Sequence, residues 1–423
     1  MIMKIKSSKV SGEIAIPGSK SHTIRAVVIA SLAEGVSKIR KPLISEDALS
    51  AVETCRSFGA KIKTETDFFE VQGFGKNPKT PDNIIDVRNS GTTLRITLMV
   101  AALIDGMTVF TGDDSVRKRP LEPLIKAMNN LGAKVYSTKN NGKAPVIVSG
   151  KIIGGKTDLD AVTSQYLSSL LISLPLIENN TEIVIKRLNE VPYVEMTLWW
   201  MNKQNIKYEN YDFKKFLIYG GQKYRHFDEF VTGDFSSATF ILIYGAISKN
   251  KIILKNLNME DAQGDKRVIG ILKEMGANIY IEEDKIIIDG GEIKGMDIDM
   301  NSIPDALPAF AVLGCFADGI TRLLNVPQAR LKETDRISVM HNELRKMGAE
   351  IEELKDGLII KQSILKGCQV NGHYDHRIVM ALAVAGMNID GLTTVDTSEA
   401  INVTFPTFVK DMKKCGADIS IEE

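Results

Sequence analysis

The chain predicts an α/β (α+β) fold assembled from six β/α units of about 70 residues, and three observations carry that reading. A phrase made of a helical segment, Gly-Ala and a β-rich run recurs as RSFGAKIK at Gly59, NNLGAKVY at Gly132, KEMGANIY at Gly276, RKMGAEIE at Gly348 and KKCGADIS at Gly416. Its spacing is regular: 73 residues from Gly59 to Gly132, 72 from Gly276 to Gly348 and 68 from Gly348 to Gly416. The gap from Gly132 to Gly276 is 144 residues, twice 72, so a degenerate copy is expected near residue 203, where WWMNKQNIKYE carries Lys203 in place of glycine.

Each element of the unit has its own signal. The glycine of the phrase sits where a helix C-terminus calls for a left-handed residue. Alternating residues follow, as in ANIYIEEDKIIIDGG, and predict a hairpin with one buried face. Upstream lies a second, more apolar helix. In SKSHTIRAVVIASLAEG, Ile24, Val27, Val28 and Leu32 form a stripe and Gly35 marks the stop. The Gly-Ala phrases themselves are scaffold, so the chemistry must lie elsewhere in the unit.

Composition narrows the function. Apolar residues make up 44% and charged residues 25%, the make-up of a soluble globular protein. Lys+Arg and Asp+Glu each number 53, so the formal net charge is zero and a duplex nucleic acid is not the expected partner. Any concentration of positive charge must be built by position. Cys55, Cys315, Cys368 and Cys415 lie far apart with no CxxC pattern, which predicts reduced structural thiols in a cytoplasmic protein and no zinc site. The N-terminus reads into a strand with no apolar signal-peptide core, and apolar runs such as ITLMVAALI are too short to span a bilayer, so no membrane role is expected.

The apolar helix of several units opens on a small polar cluster: PGSKSHTIR, RNSGTTLR, VTSQY and TGDFSSA. Ser, Thr and Gly at a helix N-terminus are ordinary caps, but they also suit a phosphate or carboxylate against the unpaired N–H groups. Lys20, Arg25 and Arg95 accompany the clusters and favour anion binding. PGSKS is not a P-loop, because Ser19 stands where that motif needs glycine before lysine. Further cations lie in DSVRKRP (Arg117, Lys118, Arg119), QARLKETDR (Lys332, Arg336) and YDHR (Arg377). Arg117 and Lys118 read as solvated, whereas Arg119 before Pro120 and Arg336 after an acidic pair look constrained. Asp305, near the start of an apolar helix, reads as an N-cap or a functional carboxylate, and Glu333 and Asp335 as partners of neighbouring cations.

Taken in order, PGSKSHTIRA (17–26), NSGTTLR (89–95), KRP (118–120), TSQY (163–166), GDFSSA (233–238), PDAL (304–307), LKETDR (331–336) and DHR (375–377) resemble the motifs of the 5-enolpyruvylshikimate-3-phosphate synthase family over the full length. The sister family of UDP-N-acetylglucosamine enolpyruvyl transferases shares the repeat but typically has Lys-Asn near the N-terminus and a loop cysteine. This chain has Lys20-Ser21 and a cysteine-free DDSVRKRP.

The resemblance implies a two-lobed enolpyruvyl transferase-like fold with three repeats per lobe: 14–231 as one lobe, 1–13 plus 232–423 as the other. It also implies the reaction. Phosphoenolpyruvate joins the 5-hydroxyl of shikimate 3-phosphate by addition and elimination, releasing phosphate, in a monomer that needs no metal or organic cofactor. By motif, Lys20, Ser21, Arg25, Thr163, Ser164, Gln165, Asp305 and Lys332 are expected on shikimate 3-phosphate. Lys20, Gly91, Arg119, Gln165, Arg336 and Arg377 are expected on phosphoenolpyruvate. Asp305 is the expected base, Glu333 and Lys20 both stand as groups for proton delivery, and His376 either orients the phosphate or packs. A non-catalytic anion-binding relative is the alternative from another class.

Three positions depart from the family pattern. Glu190 stands where many members have serine in a Ser-Lys-Pro-Tyr run, and it is expected to turn away from the phosphate or be neutralised. Val403 replaces a lysine before Thr404-Phe405-Pro406, and Gln328 replaces an asparagine. Sensitivity to glyphosate is left open, since Gly91 leaves room but Ile96 stands where many sensitive members have proline.

Overall fold

The computed structural model describes residues 1–283 and 285–422. Two compact units account for the chain: Gly18–Val231, and Met1–Pro17 together with Thr232–Glu423. The expected boundary at 13/14 therefore moves to 17/18. The cause is the strand Gly12–Ala15, which pairs in parallel with Lys251–Lys255 and so belongs to the discontinuous unit.

Each unit contains three four-stranded sheets. Every four-stranded sheet has one parallel pair followed by two antiparallel pairings. In Gly18–Val231, for example, Ile85–Asp86 runs parallel to Met107–Thr111, which pairs antiparallel with Val146–Ser149 and through it with Lys134–Ser137. A parallel pair requires a crossover, and the helix Gly91–Ala101 supplies it. Besides the sheet that Gly12–Ala15 joins, two more are completed by remote segments. Asp228–Phe230 closes the first sheet of Gly18–Val231 beside Val36–Arg40. Ile2–Lys6 lies between Leu392–Asp396 and Ile419–Glu422, so the chain's first strand completes its last sheet.

The Gly-Ala glycines behave as predicted: Gly59, Gly132, Gly276, Gly348 and Gly416 all lie at φ between 103° and 106°. The degenerate copy corrects the reading of Lys203. That residue is still helical, in Val191–Lys203, and the left-handed position is Asn205 at φ 54°. Asparagine tolerates this conformation, so the stop survives without glycine. In the predicted hairpin ANIYIEEDKIIIDGG the strands are Ala277–Glu282 and Lys285–Gly291; residue 284 lies outside the described residues.

The upstream helices are more deeply buried than a stripe implies. In Lys20–Leu32 every residue but Ser21 is buried, in Gly91–Ala101 every residue but Thr92, and in Ser164–Ser173 every residue but Gln165. In the other unit Leu307–Phe316 is buried up to Cys315, and His376–Met387 throughout. Helices that are apolar nearly all round belong to a core rather than a surface. The amphipathic members of the units, such as Glu122–Asn130 and Arg267–Glu274, bury only one face. Among the described residues no helix is long and apolar enough to cross a membrane.

Candidate active site

In Gly18–Val231 the polar clusters open helices, as expected. Ser19, Ser90 and Thr163 cap the helices Lys20–Leu32, Gly91–Ala101 and Ser164–Ser173. The single residue left unburied in each is the second of its helix: Ser21, Thr92 and Gln165. Each therefore keeps its polar N-terminal end reachable while the rest is sealed. Two of these ends are tied together. Gln165 donates from Nε2 to Thr92 Oγ1 at 3.1 Å, and Arg95 Nη1 donates to Gln165 Oε1 at 2.6 Å.

Arg25 is 1% exposed. It donates to Thr197 Oγ1 (2.9 Å), the Ser21 carbonyl (3.1 Å), Ser168 Oγ (3.3 Å) and the Tyr193 carbonyl (3.1 Å). All four acceptors are neutral, and among the described residues no carboxylate pairs with it. Burial pushes its pKa down to about 10. Lys20, at the start of the same helix, pairs with Asp47 Oδ2 at 3.1 Å. Arg119 is buried, donates to Ser115 Oγ at 3.1 Å and lies against Gly91, where a Cβ would overlap its guanidinium. Arg117 is half-exposed and paired with Asp114, the solvated role expected of it.

Glu190 overturns the expectation that it turns away. It is 1% exposed, sits at φ 59° and directs Oε2 into the N-terminus of Ser164–Ser173. There it accepts from Thr163 Oγ1 (3.0 Å), the Ser164 backbone N–H (3.1 Å) and Ser164 Oγ (2.9 Å). The physical reason is the donor set itself: a helix N-terminus with two hydroxyls attracts whichever anion is within reach.

The unit Met1–Pro17 with Thr232–Glu423 gathers the other expected residues around one guanidinium. Arg336 is fully buried and donates from Nη1 to Asp305 Oδ1 (2.8 Å) and from Nη2 to Glu333 Oε2 (2.5 Å). Nε and Nη2 clamp Asp375 at 2.7 and 3.1 Å. Arg377 Nη2 lies 3.1 Å from Asp305 Oδ2 and donates to Ser236 Oγ at 2.6 Å, while its Nη1 bonds His376 Nε2. Lys332 Nζ is 3.5 Å from Asp305. Burial opposes the Asp305 charge, yet Arg377, Lys332 and Arg336 outweigh it and hold the carboxyl well below the usual range. Burial would likewise depress Arg336, but Asp375, Glu333 and Asp305 drive its pKa up.

Asp305 is not the N-cap its position suggested: it lies inside the short 3-10 turn Pro304–Ala306, whose cap position is Ile303. Asp335 is a cap, accepting from Ser338 N–H, and pairs with Arg330 at 2.7 Å. Gln328 is buried and donates to the Asn301 carbonyl at 3.1 Å. Val403 is buried in the turn Ser398–Val403.

Sequence reasoning missed Asp375, Asp47, Thr92 and Ser236. Asp375 had a legible signal, an acid before the apolar run His376–Met387, where it caps the helix through the Arg377 N–H. Nothing local in the sequence announces Asp47 as the partner of Lys20. Among the described residues no group of three or more His, Cys, Asp or Glu side chains is placed to hold a metal ion.

Comparison with known proteins agrees across the chain. The family described as EPSP synthase (3-phosphoshikimate 1-carboxyvinyltransferase) matches residues 5–412. A 3-phosphoshikimate 1-carboxyvinyltransferase of Acetivibrio thermocellus is 60% identical over 420 residues, 99% of each chain. One from Ruminiclostridium cellulolyticum is 56% identical over the full length of both, and one from Methanocaldococcus jannaschii is 45% identical over 99% of this chain and 98% of its own. The solved EPSP synthase of Acinetobacter baumannii superposes with a TM-score of 0.84 at 27% identity, covering 100% of both chains. With the cation-ringed Asp305 and the serine- and threonine-capped helices in place, these matches establish that the chain belongs to the EPSP synthase family, the 3-phosphoshikimate 1-carboxyvinyltransferases of the shikimate pathway.

Proposed function

We propose the following roles for the residues of this chain in moving the enolpyruvyl group of phosphoenolpyruvate to shikimate 3-phosphate. The observation that carries the reading is the buried carboxylate of Asp305 ringed by Arg336, Arg377 and Lys332. Such a ring binds anions and positions a base at once.

Lys20, Ser21, Arg25 and Lys332 hold shikimate 3-phosphate, with Thr163, Ser164 and Gln165 on its phosphate. The neutral surroundings of Arg25 support this, because a buried cation without a carboxylate gains most from an anionic ligand. Gly91, Arg119, Gln165, Arg336 and Arg377 hold phosphoenolpyruvate, with Lys20 touching both substrates. The 5-hydroxyl oxygen bonds to C2 of phosphoenolpyruvate as Asp305 takes its proton. Lys20 and Glu333 are the groups for protonating C3. Loss of a C3 proton then expels inorganic phosphate from the tetrahedral intermediate and leaves the enol ether.

Arg377, Lys332 and Arg336 hold the Asp305 carboxyl well below its usual range and so weaken it as a base. Substrate anions that engage Arg336, Arg377 and Lys332 would draw those cations from Asp305 and raise its basicity. Binding thereby switches on the base. The enzyme works as a monomer in the cytoplasm. A reducing compartment suits its free cysteines, of which Cys55 and Cys315 are pushed up to about 12 by burial.

Phosphate release from phosphoenolpyruvate is the test, with shikimate 3-phosphate or UDP-N-acetylglucosamine as acceptor. Release is expected only with the former, and Asp305→Asn should slow it about 10²- to 10⁴-fold while the circular dichroism spectrum is kept. Turnover undiminished in Asp305→Asn would remove Asp305 as the base. Release with the UDP-sugar would move the chain to the sister reaction.

A further inference from the structure

We propose that Glu190 is a specificity-determining residue that competes for the hydrogen-bond donors that the acceptor's phosphate must take. The inference rests on the assignment of Thr163 and Ser164 to that phosphate. Three features of the structure support it.

One oxygen of Glu190 accepts three hydrogen bonds, from the hydroxyl and backbone donors at the N-terminus of the helix Ser164–Ser173, at 2.9 to 3.1 Å. A carboxylate oxygen so placed reproduces the contacts of a phosphate oxygen. Second, the side chain is 1% exposed, so it is packed into the pocket rather than resting on its rim. Third, its backbone sits at φ 59° and ψ 43°, a left-handed conformation that a residue with a Cβ adopts at a cost. That conformation places Glu190 immediately before the helix Val191–Lys203, within reach of Thr163 and Ser164.

Two anions cannot share these three donors, since each oxygen would lose its partners and the charges would repel. Shikimate 3-phosphate therefore binds by expelling the Glu190 carboxylate, and the enzyme accepts weaker binding in exchange for a pocket that is never empty of negative charge. The competition acts on the phosphate alone. It selects against weakly bound anions and leaves the recognition of the shikimate ring untouched.

The experiment compares Glu190→Gln, Glu190→Ser and Ser164→Ala with the wild-type enzyme. Glu190→Gln keeps an acceptor for the Ser164 N–H, so it carries the test should Glu190→Ser fold poorly. Both Glu190 variants should lower KM for shikimate 3-phosphate about tenfold or more, the change lying in KM rather than kcat. Inorganic phosphate should protect them against thermal unfolding more than it protects wild type. Affinity for shikimate, which lacks the phosphate, should not improve. Ser164→Ala should raise KM for shikimate 3-phosphate. If Ser164→Ala raises KM while the Glu190 variants leave it unchanged or raise it, the pocket is correctly placed and Glu190 is not a competitor. If Ser164→Ala has no effect, the phosphate binds elsewhere, and both the assignment and the inference fall.

Discussion

Arg25 and Arg336 are both fully buried, one in each unit, and the chain treats them in opposite ways. Among the described residues Arg25 meets only hydroxyl and carbonyl oxygens, and burial pushes its pKa down to about 10. Arg336 meets three carboxylates, which drive its pKa up. The first is a charge waiting for an anion. The second is already satisfied, and a substrate must compete for it with Asp305, Glu333 and Asp375. A positive site can thus be built in two ways within one protein of zero net charge. One leaves a cation underpaired and gains stability on binding; the other stores a folded network and spends part of it on catalysis.

Removing each charge separates the two designs, and this is the largest effect expected. Arg336→Met leaves three buried carboxylates without their common partner, which should destabilise the protein by about 3–5 kcal/mol. Arg25→Met should change stability by less than about 1 kcal/mol, because it removes a buried charge with no counter-ion. Its former acceptors retain donors, since Thr197 Oγ1 also bonds Ser168 Oγ and the Tyr193 carbonyl. Denaturant midpoints measured without ligand provide the check. Equal losses from the two variants would erase the distinction.

Acid should break the symmetry in a second, smaller way. The Asp305 carboxyl is held well below its ordinary value by Arg377, Lys332 and Arg336 acting against burial. The unfolded chain therefore takes up the proton more readily. The stability Asp305 contributes is fully present above the unfolded value near 4 and fades as pH falls below it. Arg25 has a linkage of the same sign in an alkaline window. Its depressed pKa means the folded state binds that proton less tightly, so stability gained from Arg25 appears only as pH rises beyond about 10. Hydrogen exchange followed from pH 7 to pH 3, corrected for intrinsic rates, should show protection lost first around Leu307–Phe316 and Arg336–Lys346. Protection lost first in Lys20–Leu32 would contradict the assignment.

The contrast also shows what a sequence can and cannot carry. The five Gly-Ala stops were legible because a left-handed helix end is a local demand, and all five glycines meet it. The helix starts at Lys20, Gly91, Ser164 and Phe235 were legible for the same reason, since a cap is set by its neighbours. The sixth stop was read two residues early, at Lys203 rather than Asn205, because asparagine can replace glycine without the Gly-Ala pattern. The motifs supplied Arg25, Arg336 and Asp305, but not how each is paired. Asp375 reaches Arg336 from 39 residues away, and Thr197 reaches Arg25 from 172, separations that no periodicity encodes. Glu190 shows the same limit. Repulsion from a bound phosphate predicted that it would turn away or be neutralised, whereas the donors at the N-terminus of the nearby helix draw it in.

The smallest effect tests whether Arg119, in the same unit as Arg25, also depends on its local setting to meet a substrate anion. Gly91 is the first residue of the helix Gly91–Ala101, and a Cβ there would overlap the Arg119 guanidinium. Alanine is a better helix former than glycine, so Gly91→Ala should not weaken the helix. What must move is the end of a flexible side chain, which donates to Ser115 Oγ. The shift should cost about 1 kcal/mol of substrate binding, roughly fivefold in KM for phosphoenolpyruvate, with KM for shikimate 3-phosphate unchanged. Steady-state kinetics with each substrate varied in turn will read this directly. A rise confined to phosphoenolpyruvate places Arg119 on that substrate and makes its position depend on the missing Cβ. No rise would mean that Arg119 accommodates the methyl group without losing its anion, leaving Arg25 alone as the cation whose setting within Gly18–Val231 fixes substrate affinity.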